Sequence, residues 1–353
     1  MIKVSVIMAI FGDVDYLRSS ISSILNQTYR DFELIIIKDN CGITSTDDKI
    51  DEVIASFSDA RIKYIINKVR LGFVDSLNLG LSVAKGEYIA RMDSDDFCFS
   101  NRIETQVKYL DEHEDISIIG SSYIRINTDN KVIDYCALPV SDKDIKETMI
   151  FKDPMCHPSV MMRSSLLKDC NLSYKKIGNK GFAEDYILWS DIMHYASFYN
   201  MEEPLLFYRV STQSRSQDGV KHTEELLQIA KYVIKNVFRY HRVTETFDAD
   251  EVCRYLFNLF EKGSPTGREL STKFREIYEL LAKPDKVDEM IIKENLGYIM
   301  IRTYRKWGDL RLSVYGVLHA LKLFGQKKKC NKIIYQELLD GMMQSYNCEH
   351  MKK

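Results

Sequence analysis

Basic residues are not in excess in this 353-residue chain: Lys plus Arg number 49 and Asp plus Glu 51, a formal net charge of −2. Binding nucleic acid through its phosphates calls for a positive surplus, so that class is disfavoured. Proline (6) and glycine (16) are scarce, which excludes a collagen-like or linker-dominated chain. The cysteines, at Cys41, Cys98, Cys136, Cys156, Cys170, Cys253, Cys330 and Cys348, form no CxxC pair. A redox or zinc motif of that spacing is therefore absent, and scattered thiols read as reduced ones in a cytosolic setting. No apolar run approaches the ~18 uninterrupted residues of a membrane-spanning helix, and the one after Lys3 is too short for a signal peptide. The expected compartment is the cytoplasm. What is present is an ordinary globular composition, 45% hydrophobic and 28% charged. The length corresponds to about two domains at roughly 150 residues each.

The first hundred residues alternate short apolar runs with helical periods. Val4 to Phe11, Glu33 to Lys38, Ile62 to Ile66 and Tyr88 to Met92 read as strands. Tyr16 to Leu25, Asp47 to Phe57, Val74 to Ala84 and Asn101 to Leu110 read as helices. This alternation predicts an α/β unit with a parallel sheet covered on both faces. Such sheets collect ligands at the carboxyl ends of their strands. From about Lys221 strand-like runs disappear. Leu226, Leu227, Ala230, Val233, Ile234, Val237 and Phe238 form one apolar stripe, and Leu310 to Phe324 and Ile333 to Met343 show similar ones. Lys262 to Gly267 and Lys283-Pro284-Asp285 read as breaks between helices. The expected division is an α/β unit over 1–220 and an all-helical appendage over 221–353.

Chemistry is expected after the strands. Asp93, Asp95 and Asp96 follow the strand ending near Arg91. Three carboxylates so close repel one another unless a cation joins them, and hard oxygen ligands suit Mg²⁺ or Mn²⁺. The alternative is a solvated acidic turn that caps the next helix. Asp39, after the second strand, could accept hydrogen bonds from a base or ribose, or cap its own turn. Glu184-Asp185 opens an aromatic-rich helix, either as a complement to the helix dipole or with one carboxylate as a general base. His157, in Cys156-His157-Pro158-Ser159, would ordinarily be a structural histidine. Arg209, after Leu205-Leu206-Phe207, is either a surface charge or a phosphate clamp.

These pieces occur in an ordered series. Val4 to Met8 comes first, then Ser22-Ser23-Ile24-Leu25-Asn26-Gln27-Thr28-Tyr29 and Asp31 to Ile37 with Asp39. Leu71-Gly72, Asn78-Leu79-Gly80, Ala84-Lys85-Gly86 and Met92 to Asp96 follow, and His157-Pro158-Ser159 and Glu184-Asp185-Tyr186 complete it. Over about residues 3 to 215 the chain resembles the inverting, metal-dependent glycosyltransferases of family 2, whose fold is GT-A, a Rossmann-like nucleotide-diphospho-sugar transferase domain. The resemblance implies that Ala9, Ile10 and Phe11 line the nucleoside loop, that Asp39 reads the uracil edge, and that Arg70, Asp93, Ser94 and Arg209 also contact the nucleotide. It implies Asp95 as the direct metal ligand, with Asp93 and His157 as further candidates, and Asp185 as the catalytic base beside Glu184. Thr212 and Ser214 would close on the diphosphate together with Arg209. The chain departs from the family pattern at Phe11-Gly12, where an Asn-like residue is usual, and at Lys38, where an acidic one is common.

The implied activity moves a hexose or N-acetylhexosamine from a UDP-sugar, with Mn²⁺ or Mg²⁺, to a saccharide hydroxyl in bacterial surface polysaccharide synthesis. Two other classes compete with it. A sugar-1-phosphate nucleotidyltransferase would carry a Gly-rich basic loop near the start, which Ile10 to Arg18 lacks. A non-catalytic saccharide-binding protein would not need Asp93, Asp95 and Asp185 intact. For the tail, Leu310 to Phe324 followed by Lys327-Lys328-Lys329 leaves three contacts open. They are packing on the catalytic unit, pairing with a second subunit as a homodimer, or peripheral contact with an anionic membrane carrying a polyprenyl-diphosphate-linked acceptor.

Overall fold

The computed structural model describes residues 2–12, 14–211, 222–243, 247–259, 267–282 and 287–307. One sheet of nine strands organises them. Strands β1 (Val4–Ile10) and β2 (Phe32–Lys38) are buried along their whole length, as near-continuous Val/Ile/Leu runs require. Helix α1 (Leu17–Leu25) follows β1, α2 (Thr44–Ala55) follows β2, and α3 (Phe73–Val83) follows β3 (Ile62–Ile66). Next come β4 (Tyr88–Arg91), β5 (Phe97–Cys98), α4 (Arg102–Glu112), β6 (Ile118–Ile126), β7 (Val132–Cys136) and α5 (Asp142–Thr148). A 3₁₀ turn at His157–Ser159 leads to β8 (Met161–Arg163), α6 (Ser164–Asp169), α7 (Glu184–Ile192) and β9 (Phe198–Arg209).

The strand order is β3-β2-β1-β4-β8-β6-β9-β5, with β7 on β6. The expected parallel sheet holds only across β3, β2, β1 and β4. Beyond β4 the sheet is mixed, because β8 runs antiparallel to both β4 and β6 while β6 and β9 are parallel. Strand β9 had no apolar alternation to announce it. Its exposed Glu202-Glu203, just before Pro204, stands where the pairing with β6 slips between Ser121 and Ser122. The chain builds outward from β1 to β2 and β3, then returns to the other side of β1 as β4. This change of direction opens a crevice at the carboxyl ends of β1 and β4, where such sheets bind ligands.

The opposite, amino-terminal ends of the strands are pinned by one polar knot. Ser5 Oγ donates to Glu33 Oε1 at 2.6 Å, Lys85 N donates to the same oxygen at 2.9 Å, and Gly86 N donates to Ser5 Oγ at 2.8 Å. Lys63 ion-pairs with the other Glu33 oxygen. Burial would raise the Glu33 carboxyl, but the bonds from Lys63, Ser5 and Lys85 prevail and hold it below the ordinary carboxylate range. Gly86 has no room for a side chain: a Cβ there would stand 2.4 Å from Ser5 N and 2.7 Å from Val4 C.

After residue 221 the described residues are helical: α8 (Thr223–Tyr240), α9 (Ala249–Phe257), α10 (Gly267–Leu281) and α11 (Glu289–Trp307). The expected stripe on α8 is real, with Leu227, Ala230, Val233, Ile234, Val237 and Phe238 buried in the same cluster as Ile187, Leu188 and Trp189 of α7 and Ile7 of β1. Helix α11 begins at α5, where Asp288 N donates to Glu147 Oε2 at 3.0 Å. Among the described residues no helix is long and apolar enough to cross a membrane. The expected helices at Leu310–Phe324 and Ile333–Met343, and Lys327-Lys328-Lys329, lie outside the described residues, as does Lys283-Pro284-Asp285.

Gly86→Ala is expected to lower unfolding free energy by about 1–3 kcal/mol, since the added methyl must displace backbone; chemical denaturation measures it. Glu33→Gln is expected to destabilise at neutral pH. Because the native Glu33 carboxyl titrates below its unfolded value, the stability it contributes is present above that value and lost as pH falls through the native one. The gap between wild type and Glu33→Gln should therefore narrow in acid, which denaturation curves at several pH values would reveal.

Candidate functional site

Three groups of side chains meet at the crevice. The first is the acidic loop that ends β4. Met92 N donates to Ile7 O at 3.1 Å, and Ser20 Oγ donates to Asp93 O at 2.7 Å, which fixes where the loop leaves the sheet. One carboxylate oxygen each from Asp93, Asp95 and Asp96 lies within 4.8 Å of the others, with Ser94 between them in sequence. Buried Arg91 ion-pairs with Asp93. Asp96 is only 1% exposed; its Oδ1 accepts from Arg209 N at 2.8 Å, while its Oδ2 has no hydrogen-bond partner. Burial, then the charges of Asp95 and Asp93, push this carboxyl well above its ordinary range. A buried carboxylate oxygen without a donor, beside two more carboxylates, fits a hard divalent cation and is costly without one.

Arg209 braces this loop from beneath. It is 1% exposed; its Nε donates to Asp95 O and its Nη1 to Asn127 O, each at 2.9 Å. Its guanidinium lies 3.7 Å from the centroid of the Tyr16 ring and 5.0 Å from that of Phe97. Arg209, implied by the resemblance to close on the diphosphate, is here stacked on Tyr16 and bonded to two backbone carbonyls beneath the acidic loop. Thr212 and Ser214 lie outside the described residues.

The second group surrounds the ends of β1 and β2. Ala9 and Ile10 are buried in β1, and Ile10 O accepts from Asp39 N at 2.9 Å. Phe11 emerges from the sheet 43% exposed, with the guanidinium of exposed Arg70 4.3 Å from its ring centroid. Asp39 is 2% exposed and holds the next turn: its Oδ1 accepts from Leu71 N at 2.8 Å and Asn67 Nδ2 at 3.2 Å, and its Oδ2 from Gly72 N at 2.8 Å. Gly72, at φ +93°, supplies the left-handed backbone that the turn needs. Both readings of Asp39 survive, because a carboxylate retains acceptor capacity beyond these three bonds. Lys38 is paired with Asp51 at 2.6 Å, and Tyr64 donates to the same carboxylate.

The third group stands at the start of α7. The backbone turns sharply into it, with Gly181 at φ +63° and Ala183 at φ +49°. Asp185 Oδ1 accepts from Tyr186 N at 2.8 Å. His157 Nδ1 lies 3.7 Å from Glu184 Oε1 and 3.8 Å from Asp185 Oδ2, and its Nε2 is 2.8 Å from Tyr174 OH. The expected metal set of Asp95, Asp93 and His157 is therefore split: the histidine gathers with Glu184 and Asp185, apart from the acidic group at β4. Its place is set by the 3₁₀ turn before β8, which packs the ring against Tyr174 and the edge of Trp189. Arg91 joins the two groups electrostatically. Burial works against its charge, but Asp93, Tyr174 and Glu184 more than restore it.

Two members of the site carry no signal in the sequence. Asp153 is bonded to Asp185, and burial together with the Asp185 charge raises its carboxyl well above the ordinary range. Tyr174 lies in an aperiodic stretch after α6. Its backbone is clamped by Asn78, in the Asn78-Leu79-Gly80 phrase, and its hydroxyl meets His157 Nε2.

Residues 5–169 match the model of glycosyl transferase family 2. An uncharacterized glycosyltransferase of Haemophilus influenzae is 34% identical over 250 residues, 67% of this chain and 74% of that protein. The O-antigen biosynthesis glycosyltransferase WbnJ of Escherichia coli is 31% identical over 245 residues, 68% of this chain and 91% of its own length. Among solved structures, S. aureus TarS 1–349 in complex with UDP-GlcNAc aligns with a TM-score of 0.53 over 93% of each chain at 14% identity, a likeness of fold. With the mixed α/β sheet and the carboxylates at its crevice, these relationships lead to one assignment: the chain belongs to glycosyltransferase family 2.

Proposed function

We propose that the protein transfers a sugar from a UDP-sugar to a saccharide hydroxyl, with inversion at the anomeric carbon and with a divalent metal ion, in the synthesis of a surface polysaccharide. The observation that carries this reading is the pairing of two carboxylate groups across one crevice. One of them includes the orphaned oxygen of buried Asp96. The WbnJ and TarS relationships support the polysaccharide context and the UDP-linked donor.

Each residue has a task that its position explains. Phe11 and Arg70 present a flat, exposed surface where a base can stack, and Asp39 fixes the turn beneath it. Asp93, Asp95 and Asp96 would hold Mn²⁺ or Mg²⁺, which when bound offsets the charge gathering on the departing diphosphate. Asp185, at the mouth of α7, takes the proton of the acceptor hydroxyl as its oxygen bonds to the anomeric carbon. The bond from that carbon to the β-phosphate oxygen breaks, and its electron pair leaves with the diphosphate. Direct displacement requires no covalent intermediate with the enzyme. We place the catalytic unit at 1–220 and the helical region at 221–353, where strands give way to helices.

The test is UDP release by the full chain with Mn²⁺ and a panel of UDP-sugars, with and without saccharide acceptors. Acceptor-dependent release from one donor is expected. Asp185→Asn should then lower turnover by about 100-fold or more while leaving UDP binding within about twofold, the signature of a lost general base. Asp95→Ala should weaken Mn²⁺-dependent UDP binding, read by calorimetry. Wild-type turnover in Asp185→Asn would sink the assignment of the base.

A further inference from the structure

His157 was expected to be a metal ligand, and the geometry around its ring argues for a different task. Asn78 on α3 grips the backbone of Tyr174 at both polar groups: its Nδ2 donates to Tyr174 O at 2.9 Å, and its Oδ1 accepts from Tyr174 N at 3.0 Å. The hydroxyl of Tyr174 is thereby held 2.8 Å from His157 Nε2. On another side the imidazole meets the Trp189 ring edge to face, with centroids 5.9 Å apart at 80°. A ring gripped this way has little freedom to turn, and its other nitrogen faces Glu184 and Asp185 at 3.7 and 3.8 Å.

The surroundings also select the tautomer. Glu184 and Asp185 offer acceptor oxygens to Nδ1, and Asp153 adds a third carboxyl bonded to Asp185. A lone pair on Nδ1 would face these oxygens and be repelled, whereas an N–H there is attracted. With hydrogen on Nδ1, Nε2 of the neutral ring is an acceptor, and Tyr174 is a hydroxyl donor placed to serve it. A nitrogen that carries hydrogen has no lone pair for a metal, and the remaining nitrogen is occupied by tyrosine.

Building on the glycosyl-transfer reading above, we infer that His157 is a positioning residue, locked by Tyr174 and Asn78, whose Nδ1–H holds the Asp185 carboxylate in line for the acceptor hydroxyl. The separation of 3.8 Å is longer than a hydrogen bond, so the interaction is a dipole facing a charge. Catalytic contacts of this kind commonly tighten once substrate is bound. Asp185 Oδ1 is meanwhile restrained by Tyr186 N, so the carboxylate is steered from both oxygens.

The test uses the full chain with Mn²⁺ and UDP as probes. In His157→Gln, turnover should fall by about 10-fold or more while the donor KM and the affinity for Mn²⁺ in the presence of UDP stay within about twofold, as expected for a residue acting through another. Asp95→Ala is the reference for a lost metal ligand. Tyr174→Phe, which keeps the ring and removes only the hydroxyl, should lower kcat in the same direction, and the double variant should be no worse than His157→Gln. A loss of Mn²⁺ affinity in His157→Gln comparable to that in Asp95→Ala, or unchanged kcat in both single variants, would overturn the inference. If no donor is turned over, the glycosyl-transfer reading fails on its own. The ring is then judged by ¹⁵N NMR of histidine-labelled protein. A hydrogen-free Nε2 in the wild type whose resonance moves in Tyr174→Phe upholds the locked ring; a hydrogen on Nε2 refutes it.

Discussion

Two buried arginines make the carboxylate-rich crevice sustainable. Arg91 and Arg209 lie under the acidic loop, one paired with Asp93 and the other bonded by its guanidinium to the backbone of Asp95 and by its own backbone N–H to the carboxylate of Asp96. Without them, three carboxylates at the end of one strand would drive the loop outward into water. With them, the loop stays folded inward, and Asp96 remains buried at an energetic cost that a bound cation would relieve. The net charge of −2 does not reveal this arrangement, in which two of the 49 basic residues are buried beneath the acidic loop.

The rest of the crevice follows the same logic of fixed polar partners. Asp39 carries the turn that ends in Gly72, and the Glu33 knot draws the amino ends of β1, β2 and β4 together. Rigidity at one end of the strands thus supports placement at the other. Exposed Phe11 and Arg70 are the exception, because they lean on one another above the sheet.

Much of the α/β half was legible because its signals are local. Ile62–Ile66 coincides with the strand expected there, and the helix read from Val74 to Ala84 differs from α3 by one residue at each end. The β4 loop could be found because its carboxylates are adjacent in the chain. Residues 113–211 were not legible as a fold, since β8 is three residues long and β9 is interrupted by Glu202-Glu203-Pro204. The fate of His157 was hidden for a related reason. Its partners Tyr174, Glu184 and Asp185 come from segments that only tertiary packing brings together. The contacts of Arg209 were hidden likewise, since nothing in its sequence neighbours points to Tyr16 or Asn127.

The attachment of α8 to α7 bears on when the protein becomes competent during its synthesis. Tyr232 OH and Asn236 Nδ2 each donate to Asp191 at 2.8 Å, and Glu225 Oε1 accepts from Lys180 N at 2.9 Å, just ahead of Glu184 and Asp185. The helix that bears the proposed base therefore has its outer face finished by residues made afterwards. A chain emerging from the ribosome can pair β1 with β2 early, but it cannot seal α7 until residue 236 has cleared the exit tunnel. Until then, the apolar surface around α7 that α8 will cover stays open, the kind of surface that makes a folding intermediate prone to aggregate.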